Sequence, residues 1–348
     1  MKSHRNTYLD INLNNIQYNY EYFKTTSNKA VFTVVKANAY GLGLIEMSKF
    51  FTKLGSKYLA TATLDEALSI RDAGIKTPIL VMGYTPVTSA QIAGENNITL
   101  TVVSLDWAKE LNNNEINNLK LHIKVNSSMN RLGLNSLEEV KESITLLKDK
   151  NTIEGIFTHY CCNDNKTVNK DFKRFKDIVT STDYMFKWIH ASNSYNGLML
   201  KEDFTNAIRV GIGLYGGLKD LGLKNVLTLK SEVSLIRIID KDETVSYDGL
   251  YNAKEKNTIA ILPIGYADGV LRSDTGNKVF INNQYYEIVG SICMDQLMIK
   301  VDDHVKLYDE VEIFGDNIDP ETIAKSRNTI IYEVFTSISN RVKRRYVK

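Results

Sequence analysis

Proline and cysteine are scarce in this 348-residue chain, with 4 and 3 residues respectively. Cys161, Cys162 and Cys293 make no Cys-x-x-Cys pair. That excludes a disulfide scaffold and a cysteine-based zinc site, and it suits a reducing compartment. His4, His122 and His304 lack metal-ligand spacing, so no metal is expected. No charge of one sign dominates. The 43 Lys and Arg against 41 Asp and Glu leave a formal net charge of +2. Nothing in that balance attracts nucleic acid or an anionic membrane. Long apolar runs are also missing. No stretch approaches the ~20 apolar residues of a membrane span, and Met1–Tyr20 is polar and Asn-rich, without the apolar core of a signal peptide. The expectation is a soluble, cytoplasmic protein. The basic run from Arg341 to Arg345 reads as a solvated tail. What is present is an ordinary globular composition, 43% hydrophobic and 24% charged, with 19 Tyr and enough length for about two domains.

Apolar runs and helical periodicity alternate over the first two-thirds of the chain. Strands are expected at Ala30–Lys36, Tyr58–Thr63, Ile79–Gly83, Ile98–Ser104, Leu119–Asn126, Thr152–His159, Phe186–Asn193 and Ala207–Tyr215. Helices fall between them, and another, Leu13–Thr26, stands in front. Ser136 with Glu139 reads as a capping box. Strands separated by helices run parallel, and eight of them fit a closed (β/α)8 TIM-type barrel better than a doubly wound sheet. After Gly222 the pattern becomes β-branched and alternating, beginning with one strand-like run over Leu227–Ile239, and is broken by turn signals such as Asp248-Gly249 and Asn282-Asn283. The expected organisation is therefore an α/β barrel over residues 8–222 and a predominantly antiparallel β domain over 223–348, with residues 1–7 packing on the latter.

Chemistry in a barrel sits at the C-terminal ends of the strands. The polar residues there are Lys36, Lys124, Asn126, His159, His190, Asn193 and Arg209. A lysine ending an apolar run has a partly desolvated amine, suited to a Schiff base or to proton abstraction; the plainer alternative is a lysine that merely reaches solvent at the rim. The glycines of Arg209-Val210-Gly211-Ile212-Gly213, with Ser194, could let backbone N–H groups approach a phosphate. A lysine beside a phosphate cradle points to pyridoxal phosphate or to a sugar-phosphate aldolase.

Val34-Val35-Lys36-Ala37-Asn38-Ala39-Tyr40-Gly41-Leu42-Gly43 resembles the pyridoxal-phosphate lysine signature of the alanine racemase family. The resemblance continues in order through Gly155–His159, His190–Ser194, Arg209–Gly216, Val245–Tyr247, Gly265–Gly269, Cys293–Gln296 and Tyr332–Val334. It implies a barrel plus a β domain, pyridoxal 5'-phosphate as cofactor, and interconversion of L- and D-alanine that supplies D-alanine for peptidoglycan. Lys36 would hold the cofactor as an aldimine and serve one face of the substrate, and Tyr247 the other. A free phenol, with a pKa of about 10, needs help to act as a base; His159 and Arg209 would supply it. Arg209 would also face the pyridine nitrogen and keep it unprotonated. Tyr40, Asn193, Ser194, Gly211, Ile212 and Tyr332 would complete the cofactor site. Arg131 would pair with the substrate carboxylate, Met294 would line the substrate side, Lys124 would be a carbamate that positions Arg131, and Tyr266 would stand at the entry channel. A homodimer with shared active sites is implied.

Without the resemblance, Tyr247 reads as an ordinary sheet tyrosine, Tyr266 as an equal base candidate, Met294 as core, and His190, Cys161 and Cys162 as structural. Several residues depart from the family pattern: Asn126-Ser127-Ser128, Val210, Asp248, Ser291 and Lys343. Ile79–Thr85 and Arg209-Val210 are similar to the serine/alanine racemase branch. The rival readings are therefore a serine or broad-specificity racemase, a decarboxylase or lyase of the same cofactor class, and a non-catalytic pyridoxal-phosphate-binding protein.

Overall fold

The computed structural model describes His4–Lys348. Two compact units form: one from residues 17–39 and 43–214, the other from the residues up to Ile16, 40–42 and 215–348. The first strand is β1 (Tyr8–Asn12), followed by the helix Leu13–Ser27. A closed parallel barrel then runs through β2 (Ala30–Val34), β3 (Tyr58–Thr61), β4 (Ile79–Val81), β5 (Ile98–Val102), β6 (Lys120–Lys124), β7 (Thr152–Phe157), β8 (Trp188–His190) and β9 (Ala207–Val210). It closes where Ala30 pairs with Ala207 and Phe32 with Arg209. All eight strands are shorter than the apolar runs that announced them, because several residues at the C-terminal ends leave the ladder to build the site.

Local capping explains several helix starts. Thr63 Oγ1 accepts from Glu66 N, and Glu66 reciprocates on Thr63 N, a full capping box. The box expected at Ser136 is half made. Ser136 caps Glu139 N, but the Glu139 carboxylate accepts from Asn135 N instead.

In the second unit a nine-stranded sheet is ordered Leu235–Ile239, Asn257–Leu262, Leu297–Val301, Gln284–Ile288, Lys278–Ile281, Glu310–Phe314, Leu227–Glu232, β1, Lys343–Val347. All its pairings are antiparallel except that of β1 with Lys343–Val347. The hairpin at Asn282-Asn283 has φ of 47° and 65°, the left-handed pair of a type I′ turn. Three expectations change here. The run Leu227–Ile239 splits at Val233-Ser234 into two strands with different partners. Tyr8–Asn12, which the sequence boundaries put with the barrel, joins this sheet, where alternating Leu9 and Ile11 are buried. The basic C-terminal run is an edge strand, not a solvated tail. Arg345 makes a two-pronged contact with Asp10 at 2.6 and 2.8 Å, and Arg344 donates to the carbonyls of Gly41, Ile338, Ser339 and Val342. Among the described residues no helix is long and apolar enough to cross a membrane.

Candidate active site

Lys36 follows directly on β2 and Val35, whose N–H donates to Ala60 O at 2.9 Å. The next four residues, Ala37, Asn38, Ala39 and Tyr40, have φ of 53°, 55°, 51° and 56°. This is a left-handed turn of L-residues, a conformation that costs about 1–2 kcal/mol per residue. Its polar ties are specific. Ala37 N donates to Glu66 Oε1 at 2.6 Å, Gly43 N to Asn38 O at 2.9 Å, and Leu44 N to Asn38 Oδ1 at 2.8 Å. The Lys36 amine is held below the ordinary lysine range by burial first, then by the Arg131 and Arg209 charges, with Glu66 opposing.

Arg209, on β9, is fully enclosed. It donates to the carbonyls of Thr158 and Ala191, each at 2.8 Å, to His190 Nδ1 at 2.7 Å and to His159 Nδ1 at 3.1 Å. No carboxylate neutralises it among the described residues. Burial lowers its pKa to about 10, so it remains a cation at neutral pH. The donated bonds set the tautomers in turn. His190 Nδ1 accepts, so its proton is on Nε2, which donates to His122 Nδ1 at 2.9 Å. The proton of His122 is then on Nε2, which has no hydrogen-bond partner among the described residues. Phe157 stacks on His190 at 4.8 Å and 7°, and it lies under both Arg209 and Lys124.

Lys124 ends β6 and is buried, with its pKa lowered to about 7 by burial first and then by Arg209, Arg131 and Lys36. Arg131 is exposed on the loop that follows. That loop is held by Asn126 Nδ2 donating to Asn130 and Asn135, by Ser127 Oγ donating to His159 O at 2.6 Å, and by Ser128 on the buried Asp171. Gly133, at φ +123°, is required there. A Cβ would stand 2.5 Å from Asn126 N.

Ser194 is buried, and its Oγ accepts from Gly211 N at 3.1 Å and Gly213 N at 3.3 Å, so the hydroxyl and the backbone around Ile212 converge. Asn193 Oδ1 caps the helix Ser194–Met199 through Asn196 N at 3.0 Å. The barrel unit thus gathers four cations, Lys36, Lys124, Arg131 and Arg209. Its nearby carboxylate Glu66 is spent on the backbone N–H groups of Ala37, Ala62 and Thr63. This donor set fits an anionic cofactor bearing a phosphate and a carbonyl that condenses with an amine.

The second unit carries the remaining candidates. Tyr40, Tyr215 and Tyr332 form one aromatic cluster, with Tyr40 ring distances of 5.0 and 5.9 Å. Tyr247, Tyr266 and Met294 are brought to one rim and are 67%, 40% and 52% exposed. Ser291 Oγ donates to Tyr247 O, Tyr266 N to Cys293 O and Ala267 N to Met294 O, which ties the three segments together.

Residues 11–219 match the N-terminal domain of alanine racemases and residues 226–346 the C-terminal domain. The chain belongs to the alanine racemase family. Alanine racemase of Staphylococcus epidermidis is 38% identical over 99% of this chain and 96% of its own. The crystal structure of alanine racemase from Bacillus anthracis with bound L-Ala-P superposes with a TM-score of 0.93 at 32% identity, covering 100% of this chain and 96% of that one. A histidine racemase from Leuconostoc mesenteroides subsp. sake superposes at 0.91 with 25% identity, over 100% and 99%.

In this member of the family, several residues that organise the site escape motif reading. Glu66 is one, although Thr63-x-x-Glu66 ahead of a helix is visible in sequence. His122 is another. It lies two residues before Lys124, so both point to the same face of β6, and both are buried. The carbonyls of Thr158 and Ala191 carry no sequence signal at all.

Proposed function

We propose that this protein is a pyridoxal-phosphate-dependent racemase that interconverts L- and D-alanine, supplying D-alanine for peptidoglycan in the cytoplasm. The observation that carries the reading is a desolvated lysine amine among cations, beside an enclosed arginine with no carboxylate. Lys36 would bond the cofactor, Ser194 with Gly211, Ile212, Tyr40 and Tyr332 would hold its phosphate, and Asn193, His159 and Arg209 would flank it. When bound, the cofactor accepts the electron pair left as the Cα proton departs.

The rest is done by this chain's own groups. Lys36 Nζ, its pKa depressed first by burial, holds or releases a proton at one face. Tyr247 Oη does so at the other. Arg209 keeps its proton, because two carbonyls and two neutral imidazoles hold it in place. Arg131 orients the substrate carboxylate, Met294 borders the side chain, Tyr266 flanks the entry, and Lys124 as a carbamate would steady Arg131. The exposure of Tyr247, Tyr266 and Met294 supports a homodimer in which a second copy covers that rim. Full activity from a monomer at high dilution would refute the shared site.

The cofactor assignment is tested by the visible absorbance of the lysine-bound cofactor, which is expected in the wild type and absent in Lys36→Ala. Tyr247→Phe is expected to abolish racemisation, and unimpaired turnover in both directions would overturn the two-base assignment. A broader racemase is the second reading, because the same fold serves a histidine racemase. KM and kcat on L-Ala against L-Ser decide between them.

A further inference from the structure

Two thiols stand side by side just past His159. Cys161 is exposed and Cys162 half-buried. The Cys161 S–H donates to Cys162 Sγ at 3.6 Å. Their segment is anchored at two points. Upstream, His159 O accepts from Ser127 Oγ; at the pair itself, Cys162 O accepts from Asn196 Nδ2 at 3.4 Å. The third thiol, Cys293, belongs to the other unit and contacts Ser246 and Ser291.

A direct disulfide suits this pair poorly. Neighbouring Cα atoms are about 3.8 Å apart, whereas ordinary disulfides span about 4.4–6.8 Å between Cα atoms. Bridging through a third atom suits it well. A centre with bonds to sulfur of about 2.3 Å at a tetrahedral angle holds two sulfurs roughly 3.7 Å apart. A structural zinc ion needs more ligands, and no group of three His, Cys, Asp or Glu able to hold a metal occurs among the described residues. What fits is a soft centre satisfied by two sulfurs and one substituent of its own.

We propose that Cys161 and Cys162 form a dithiol clamp for monosubstituted trivalent arsenicals. In the reaction two S–H bonds and the As–O bonds break, two As–S bonds form, and one water leaves for each arsine oxide consumed. Arsenic stays trivalent, so no oxidant is needed. Partial loss of water contact first, and then the bond to Cys162, hold the exposed Cys161 thiol above its ordinary pKa. A thiol kept protonated is slow in thiolate exchange with disulfides, and it still condenses with an arsine oxide.

The test is intact-protein mass spectrometry of the full chain with phenylarsine oxide. One adduct per chain is expected, retained in excess monothiol and released by 2,3-dimercaptopropanol. Cys161→Ser and Cys162→Ser should each lose the monothiol-resistant adduct, and Cys293→Ser should keep it. A resistant adduct that survives in Cys161→Ser or Cys162→Ser, or none in the wild type, would overturn the proposal. The readout is a mass, so its outcome is independent of the reaction the protein catalyses.

Discussion

The three enclosed histidines should make this protein unusually sensitive to mild acid. His122 is held at about 3, and His159 and His190 lie far below the ordinary imidazole range, in each case by burial first and the Arg209 charge second. In the native state all three are neutral, and in the unfolded chain each takes up a proton below about pH 6.5. The unfolded state therefore binds more protons, and stability is lost as pH falls below the unfolded pKa, continuing towards about 3 for His122. Each such histidine costs about 0.2 kcal/mol at pH 7 and about 2 kcal/mol at pH 5, so the three together remove about 6 kcal/mol over that interval. That is a large share of the ~5–15 kcal/mol that holds a domain folded. Lys124 adds only about 0.4 kcal/mol in this window, since its depressed pKa of about 7 changes stability mainly between pH 7 and the ordinary lysine value. The assay is urea unfolding at pH 7, 6 and 5, followed by the fluorescence of Trp107 and Trp188. His122→Gln should flatten the pH dependence by about one-third, whatever it does to absolute stability. A midpoint that barely moves between pH 7 and 5, or a slope unchanged in His122→Gln, would refute the neutral-histidine network.

Other expectations follow from single contacts. Arg327 grips Asp274 through two prongs, with side chains 5% and 3% exposed, so Arg327→Met should cost about 3–5 kcal/mol in denaturant unfolding. Gly133→Ala places a methyl against Asn126 N at φ +123° and should destabilise the Arg131 loop by about 1–3 kcal/mol, raising KM for alanine more than it lowers kcat. Asp248 occupies φ +62°, so Asp248→Gly should raise the melting temperature, with a gain of about 0.5–1 kcal/mol. If Lys124 reacts with carbon dioxide, which needs the neutral amine its lowered pKa provides, bicarbonate depletion should raise KM reversibly in the wild type and not in Lys124→Met.

What could be read from the sequence divides along a physical line. A strand buried on both faces must be an apolar run, so the eight barrel strands announce themselves, and a one-sided sheet alternates, so the second domain does too. Positions set by distant partners do not. Whether Leu227–Ile239 is one strand or two depends on Glu310–Phe314 and Asn257–Leu262, which take opposite ends of it. Whether Arg344 and Arg345 meet water or a sheet depends on β1, more than 300 residues earlier. The left-handed turn after Lys36 is hidden for the opposite reason. Asn38 tolerates φ near +50° but Ala37, Ala39 and Tyr40 disfavour it, and the turn is held by the ties of Asn38 to Gly43 and Leu44 together with Glu66, 29 residues from Ala37. Arg209 combines both cases. Its place on β9 was legible from the strand pattern, but its chemistry rests on the orientation of His159 and His190, the latter fixed by a bond to His122 that spans 68 residues. A motif can name an arginine. Only the fold can say that it is charged, enclosed and unable to turn, and those three properties are what the proposed role beside a cofactor would require.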